Sequence, residues 1–150
     1  MVNLTNYIPK LICPAAALFL SAGTMMGADK KIILPEGAKP GGNYSPGILV
    51  DGTLYISGQG GEDSSGNVPK TFEDEVRQAL QNVNTVLKAA GMTSDDVVSV
   101  QVYLADASLF QRMNAVYTTF FKDPRPARTT VVVPKLVVTG TIEITVTARK

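Results

Sequence analysis

The fold is decided by the stretch TFEDEVRQALQNVNTVLKAAGMTSDDVVSVQVYLA, which occupies residues 71–105. Its first part repeats apolar side chains at three- and four-residue steps, which predicts an amphipathic helix of about five turns. Thr71 is suited to cap the start of this helix, and Gly91 is suited to end it. The second part, residues 97–104, is β-branched and partly alternating, which predicts a strand. A helix followed by a strand favours a sheet covered by helices.

Further strands and one more helix flank this stretch. Upstream, residues 30–34 predict a short strand, and the Asp-Gly pair at 51–52 predicts a hairpin. The glycine-rich segment 58–61 is expected to break the second strand of that hairpin. Downstream, a second helix is followed by two prolines and by strands at 129–133 and 141–147. The predicted order is β-ββ-α-β-α-β-β, an α+β fold in which a mixed sheet carries two helices on one face. The apolar face of the second helix is expected in the core and consists of Phe110, Met113, Val116, Tyr117, Phe120 and Phe121.

One helical layer cannot bury both faces of such a sheet. The strands predicted at 97–104 and 129–133 are apolar on both sides of the pleat. We therefore expect the face without helices to meet other copies of the chain.

The first 28 residues differ in composition from the rest. Lys10 is their only charged side chain, and an apolar centre at 15–20 is followed by small residues. This order predicts a secretory signal peptide at 1–28 and a single domain at 29–150. An uncleaved membrane anchor is the other interpretation, disfavoured because the apolar segment is short and contains Pro14. The protein is thus expected to be periplasmic or secreted, without stable membrane anchoring after signal removal, and cytoplasmic if this segment is not a signal.

Composition excludes some kinds of site. The formal net charge is +1, which gives no basic footprint for nucleic acid. Histidine is absent, so the commonest general base and metal ligand is missing. The single cysteine, Cys13, excludes an intrachain disulfide and a cysteine metal cluster. No metal site is predicted.

Two charged residues stand in otherwise apolar strands near the C-terminus. Arg128 begins one β-branched run, and Glu143 lies between two isoleucines in another. Burying such a carboxylate is costly unless a partner or a ligand uses it. Two interpretations follow: an internal ion pair that holds two strands, or a site in which the arginine binds a substrate carboxylate.

Together with these residues, four motifs make the chain similar to the reactive-intermediate deaminases, the RidA or YjgF-like family, over about residues 32–149. The motifs are Asn43-Tyr44-Ser45-Pro46-Gly47, Ile56-Ser57-Gly58-Gln59, Met113-Asn114-Ala115-Val116-Tyr117 with Phe120-Phe121, and Pro126-Ala127-Arg128 through Ile142-Glu143-Ile144. The resemblance implies a chorismate-mutase-like (YjgF-like) fold and a homotrimer whose sheets form a central barrel. It also implies active sites between subunits that hydrolyse 2-imino acids to 2-keto acids and ammonia without a cofactor.

The resemblance assigns roles to the site residues. Arg128 is expected to bind the substrate carboxylate through paired hydrogen bonds, and Glu143 to orient a water and accept its proton. The substrate-binding residues that it implies are Arg128, Tyr44, Ser57, Gly58, Asn114 and Thr130. Taken alone, Asn114 can also be a solvent-facing helix residue, Tyr44 can pack against the domain edge, and Ser57 can simply end a strand.

This chain departs from the family pattern at two places. Thr130 stands where well-known members carry cysteine, which excludes a thiol nucleophile. The turn at 135–140 lacks the usual Leu-Pro pattern and is unusually apolar, as a partner surface would be. A non-catalytic trimer that binds small carboxylates in the periplasm is the alternative function. Ribonuclease activity, attached to some family members, is disfavoured by the near-neutral charge and the absence of histidine.

Overall fold

The computed structural model describes residues 27–38 and 42–150. In chain order, its elements are β1 (Lys31–Ile33), β2 (Gly47–Val50), β3 (Thr53–Gly60), α1 (Phe72–Ala89), β4 (Val97–Leu104), α2 (Phe110–Phe120), β5 (Ala127–Val132) and β6 (Ile142–Arg149). The predicted order of strands and helices is confirmed. The predicted signal segment, residues 1–28, lies outside the described residues apart from its last two. Neither α-helix in the described part of the chain is long and apolar enough to span a membrane.

Helix α1 begins and ends at the predicted residues because both ends are capped. The Asp74 N–H donates to the Thr71 hydroxyl at 3.2 Å. At the other end Gly91 has a φ of 70°, which glycine adopts without strain. There the Gly91 N–H donates to the Lys88 carbonyl, and the Met92 N–H donates to the Leu87 carbonyl, each at 2.9 Å. These two bonds are those of a Schellman motif, which turns the chain from α1 toward β4.

The strands form one mixed sheet in the order β1-β2-β3-β6-β4-β5. Only β4 and β5 pair in parallel, joined by α2; all other neighbours are antiparallel. The β2–β3 turn is the predicted hairpin, with positive φ at Asp51 and Gly52. The last strand, β6, therefore inserts between β3 and β4, and it separates the hairpin from the parallel pair.

Both helices cover the same face of this sheet. In β6 the buried residues alternate with half-buried ones, and Ile142, Ile144 and Val146 face the helices. The opposite face is open and carries exposed apolar side chains at Ile32, Tyr55 and Val131. The expected arrangement, with helices on one face only, is confirmed.

One helix residue and one strand end differ from the prediction. Phe110 is 36% exposed, because it is the first residue of α2 and lies beside the edge strand β5. The glycine-rich segment 58–61 does not break β3, which continues to Gly60. Instead, the register with β6 shifts between Ile56 and Gln59, so one extra residue is accommodated as a bulge. Glycine permits such a bulge without ending the pairing.

Candidate active site

Arg128 lies on the helix-covered side of the sheet. It pairs with the buried Val100 of β4, and its guanidinium stacks on the ring of Tyr117, with Cζ 4.4 Å from the ring centroid. The guanidinium also lies 5.8 Å from the Phe110 ring, and its Nη1 is 3.9 Å from Sδ of Met113. Within the described part of the chain it has no carboxylate partner. Aromatic packing thus holds the guanidinium while its N–H groups stay available to an external anion.

The Arg128 side chain lines a cleft of about 400 Å³, here called the Arg128 cleft. It is lined by Asn114, Tyr117, Thr118, Arg125, Pro126 and Arg128. Asn114 is half-buried and precedes Tyr117 by one helical turn, so both side chains reach this cleft. Arg125 already pairs with Asp123 at 2.6 Å. The cleft therefore offers one unpaired cation and one amide to a ligand.

Tyr117 is a residue of this cleft that sequence reasoning did not assign to the site. Its side chain is 3% exposed, and its hydroxyl is buried without a hydrogen-bond partner among the described residues. Burial raises the pKa of Tyr117, while the charges of Arg128 and Arg125 act in the opposite direction. The spacing Asn114-x-x-Tyr117 was the available signal, because residues three apart share a helix face.

Thr130 follows Arg128 by two residues and therefore points to the same side of the sheet. Its hydroxyl is buried and, like that of Tyr117, has no partner among the described residues. The side chain does not line the Arg128 cleft. The Thr130 hydroxyl is thus covered, although it lies on the same strand and the same face as Arg128.

Glu143 occupies a different cleft, of about 390 Å³, here called the Glu143 cleft. It is lined by Tyr44, Ser57, Gly58, Val137, Val138 and Glu143. The bulge in β3 brings both Ser57 and Gly58 to its border. A Cβ at Gly58 would overlap Oε1 of Glu143, so the carboxylate reaches its present position only because residue 58 has no side chain.

Two further residues of the Glu143 cleft, Ser57 and Tyr44, differ in how firmly they are held. The Ser57 hydroxyl donates to the Ser45 carbonyl at 2.7 Å, so it retains acceptor capacity toward a ligand. The interpretation that Ser57 ends a strand is wrong, because β3 continues past it. Tyr44 is 73% exposed at the rim of the cleft.

The two clefts share no residue and lie on opposite faces of the sheet. Glu143 pairs with Tyr103 of β4, on the face without helices, whereas Arg128 lies on the covered face. Strand β4 also separates β5 from β6. The interpretation of Arg128 and Glu143 as an internal ion pair between two strands is therefore wrong. One chain brings the candidate residues together as two groups, an arginine group and a carboxylate group.

The candidate residues offer little to a metal ion. Within residues 27–38 and 42–150, no cluster of three His, Cys, Asp or Glu side chains is arranged to hold a metal. The chemistry available is that of a fixed guanidinium in one cleft and a carboxylate with hydroxyl and apolar neighbours in the other.

Comparison with known proteins gives one consistent family. The family described as Endoribonuclease L-PSP matches residues 36–150. A RutC family protein of Saccharolobus solfataricus is 46% identical over 124 residues, which cover 81% of this chain and 98% of that protein. The rat protein named 2-iminobutanoate/2-iminopropanoate deaminase is 45% identical over 105 residues, covering 69% of this chain and 77% of the relative.

Solved structures show the same fold. A Yersinia pestis protein described as belonging to the conserved Rid protein family superposes with a TM-score of 0.76 at 32% identity. The match covers 81% of this chain and 100% of that one. RidA of the Antarctic bacterium Psychrobacter superposes with a TM-score of 0.70 at 34% identity, over 73% and 89% of the two chains. The predicted YjgF-like, chorismate-mutase-like fold is thereby confirmed.

Proposed function

Because this chain belongs to the endoribonuclease L-PSP family, also called the YjgF/RidA family, we propose that it hydrolyses 2-imino acids to 2-keto acids and ammonia. The relatives named 2-iminobutanoate/2-iminopropanoate deaminase support this reaction class. The observation that carries the proposal is the guanidinium of Arg128. It is stacked on Tyr117 in an open cleft and has no carboxylate partner in the described residues. A group held in this way is suited to bind the carboxylate of a small acid.

The first step that we assign to the site is binding. Arg128 donates two parallel hydrogen bonds to the carboxylate of the imino acid, which places the adjacent C=N carbon at a defined position. Asn114, in the same cleft, is available for a further polar contact. The stacked guanidinium loses little conformational freedom on binding, because its plane is already set by Tyr117.

The second step is hydrolysis. Glu143 orients a water and accepts one of its protons as the oxygen attacks the imine carbon, and a carbinolamine forms. Starting from the protonated imine, the same carboxyl returns that proton to the carbinolamine nitrogen, and the C–N bond breaks as ammonia leaves. The hydroxyl of the carbinolamine then loses its proton to the Glu143 carboxylate, which passes it on to the released ammonia, and the C=O bond of the keto acid forms. The rate acceleration that the protein must provide is modest, because free imines already hydrolyse in water.

The two clefts must meet for this mechanism, and we propose that they meet between subunits of a homotrimer. Within one chain Arg128 and Glu143 face opposite sides of the sheet. The open face carries Ile32, Tyr55 and Val131 as exposed apolar side chains, which suits contact with further copies. In such an assembly the Arg128 cleft of one copy lies against the Glu143 cleft of its neighbour.

A protein that binds small carboxylates without turnover is the second candidate. One observation favours it: the Arg128 cleft by itself holds the groups needed to bind an acid, whereas Glu143 lies elsewhere in the chain. The two functions differ in outcome. A binding protein is stabilised by 2-keto acids and leaves imines to decay at their own rate.

The deciding experiment is a coupled assay in which an amino-acid oxidase generates the imine and its loss is followed. We expect the protein to accelerate that loss and Arg128→Ala to lower kcat/KM by about 100-fold or more, since two charge-assisted hydrogen bonds are removed. Arg112→Ala is the matched control, because Arg112 pairs with Glu73 outside both clefts. Unchanged activity in Arg128→Ala would exclude the mechanism, and stabilisation by keto acid without turnover would favour the binding protein.

We also propose that the protein is exported, with residues 1–28 as a cleaved signal. The support is compositional: within residues 1–28 one basic residue, an apolar centre at 15–20 and small residues follow one another in the order typical of a signal peptide. Cell fractionation with N-terminal sequencing tests this. Recovery of the protein in the cytoplasm with residues 1–28 intact would contradict it.

A further inference from the structure

A buried carboxylate outside both clefts holds the loop that borders the Glu143 cleft. This loop, residues 133–141, joins β5 to β6 and is called the wall loop below. Its Val137 and Val138 line the Glu143 cleft, and Glu143 follows it by two residues. Any movement of the wall loop therefore changes both the wall of the cleft and the start of the strand that carries Glu143.

Glu75, in the first turn of α1, is the one charged side chain that is buried among the described residues, at 4% exposure. Its carboxylate accepts three hydrogen bonds from the end of the wall loop and the start of β6. The Thr141 N–H and hydroxyl donate at 2.6 and 2.8 Å, and the Ile142 N–H donates at 3.2 Å. No cation pairs with Glu75 in the described part of the chain. Its negative charge is stabilised by these donors and by the nearby helix N-terminus.

The surrounding backbone leaves space for this carboxylate. A Cβ at Gly61 would overlap the Glu75 side chain, and a Cβ at Gly140 would lie 2.5 Å from Oε1 of Glu75. A second carboxylate, Glu62, accepts the Thr139 N–H at 2.7 Å. Two acidic side chains thus hold Thr139, Thr141 and Ile142, three of the four residues immediately before Glu143.

We propose that Glu75 is a positioning residue for the site. It holds residues 141–142, so that Glu143 and the apolar wall at 137–138 keep their places around the substrate. The inference rests on the proposed imine hydrolysis. Glu75 does not contact the substrate in this arrangement. It acts through the residues of the wall loop and of β6 that it holds.

The test compares Glu75→Ala with Glu75→Gln on two imines, 2-iminopropanoate and the larger 2-imino-4-methylpentanoate. In Glu75→Ala we expect kcat/KM to fall by about 10- to 100-fold, as small misplacements of catalytic groups do. We also expect the ratio of kcat/KM for the two imines to change, because the wall of the cleft moves. Glu75→Gln retains an oxygen for the two N–H donors. Its kcat/KM and its ratio for the two imines should therefore both lie close to the wild-type values. A lower folded fraction alone leaves the ratio unchanged.

Glu73→Gln is the matched control, since it removes a carboxylate two residues away that faces Arg112 instead of the wall loop. If Glu75→Ala does not fold, Thr141→Val replaces it; that variant removes one donor and should shift the ratio in the same direction. An unchanged ratio in the folded Glu75 variant would overturn the inference.

Amide hydrogen exchange separates this inference from the proposed function. Exchange at Thr141 and Ile142 should be faster in the Glu75 variant and unchanged in Glu73→Gln, whether or not imines are hydrolysed. Equal exchange in both variants would mean that Glu75 does not hold the loop. Absence of imine hydrolysis by the wild-type protein, with faster exchange in the Glu75 variant, would reject the proposed function and retain the structural role.

Discussion

At the scale of single residues, Arg128 and Glu143 are distinctive because each is a charged side chain in an otherwise apolar strand. Arg128 and Glu143 each line a cleft, and neither finds a charged partner in the described chain. Their apolar neighbours predict that these two side chains serve a ligand or a partner, because burying an unpaired charge costs free energy. These neighbours do not predict which face of the sheet each side chain takes, since that depends on the order of strands far apart in sequence.

Gly58 offers a sharp test of how closely the backbone approaches Glu143. In Gly58→Ala the new Cβ would overlap the carboxylate, so Glu143 must move. We expect kcat for imine hydrolysis to fall by about 100-fold, as a displacement near 1 Å can cause, with KM changed much less because Arg128 still binds the substrate. Steady-state kinetics on the oxidase-generated imine measures both.

Gly42→Ala is the control for Gly58→Ala. A Cβ at Gly42 meets only the Tyr44 carbonyl oxygen, at 3.9 Å, which is an ordinary contact. Its kinetics should match the wild type. Equal kcat in Gly58→Ala and wild type would mean that Glu143 does not need its present position.

Tyr117 and Glu75 show what residue types alone do not reveal. Tyr117 looks like one more aromatic of a helical core face, and Glu75 like one more acidic residue in a first helical turn. Their particular surroundings arise from Arg128 of β5 and Thr141 of the wall loop, which lie 11 and 66 residues further along the chain. Only tertiary structure brings those partners together.

At the scale of elements, sequence periodicity predicted the order correctly because its signals are local. Helix caps, the Asp-Gly turn and β-branched runs each act within a few residues. The segment 58–61 was predicted wrongly for the opposite reason. Glycines can end a strand or form a bulge, and the choice here depends on pairing with β6, which lies more than 80 residues later.

The first turn of α1 provides a prediction about acid stability. The Arg112 guanidinium donates to Glu73 at 2.7 and 2.8 Å and lowers the pKa of that carboxyl from 4.5 to about 2. Because the pKa of Glu73 is lower in the folded state, its carboxylate stabilises the fold. This contribution to stability is complete above pH 4.5 and is lost as the pH falls toward 2. Glu73→Gln should therefore flatten the dependence of Tm on pH in that window.

Arg112→Gln should flatten the same dependence, since it removes the cause of the lowered pKa. Thermal unfolding followed at several pH values between 5 and 2 measures it, with the wild type as reference. An identical slope in wild type and both variants would show that this exposed pair contributes nothing measurable, as many surface ion pairs do.

At the scale of the whole molecule, the sheet order keeps the Arg128 cleft and the Glu143 cleft apart within one chain. Strand β6 enters between β3 and β4, so Glu143 faces the open side while Arg128 remains under α2. A separation of 15 residues in sequence does not predict this, because β5 and β6 look adjacent in the chain and are not adjacent in the sheet. The open face itself was nevertheless predictable, since two helices can cover only one face of the sheet.

The proposed sharing of a site between copies can be tested by mixing two inactive variants. Arg128→Ala lacks the carboxylate anchor and keeps Glu143, whereas Glu143→Gln keeps the anchor and lacks the base. If each active site takes its arginine from one copy and its carboxylate from the next, mixed trimers regain complete sites. Random assembly of equal amounts gives about one complete site in four, so about a quarter of wild-type activity is expected. Mixing must follow dissociation and reassembly, and the homotrimeric mass is checked in solution.

The control for that mixture is the double variant, Arg128→Ala with Glu143→Gln, reassembled with wild-type protein. There each copy carries both groups or neither, and a complete site requires two wild-type neighbours. About a quarter of the sites should again be complete, whereas sites contained within one copy would leave about half of them active. In this control, shared sites and sites within one copy thus predict activities that differ twofold. In the mixture of single variants the contrast is larger, because shared sites predict about a quarter of wild-type activity and sites within one copy predict none. Recovered activity in the mixture of single variants therefore requires that Arg128 and Glu143 act across a subunit boundary.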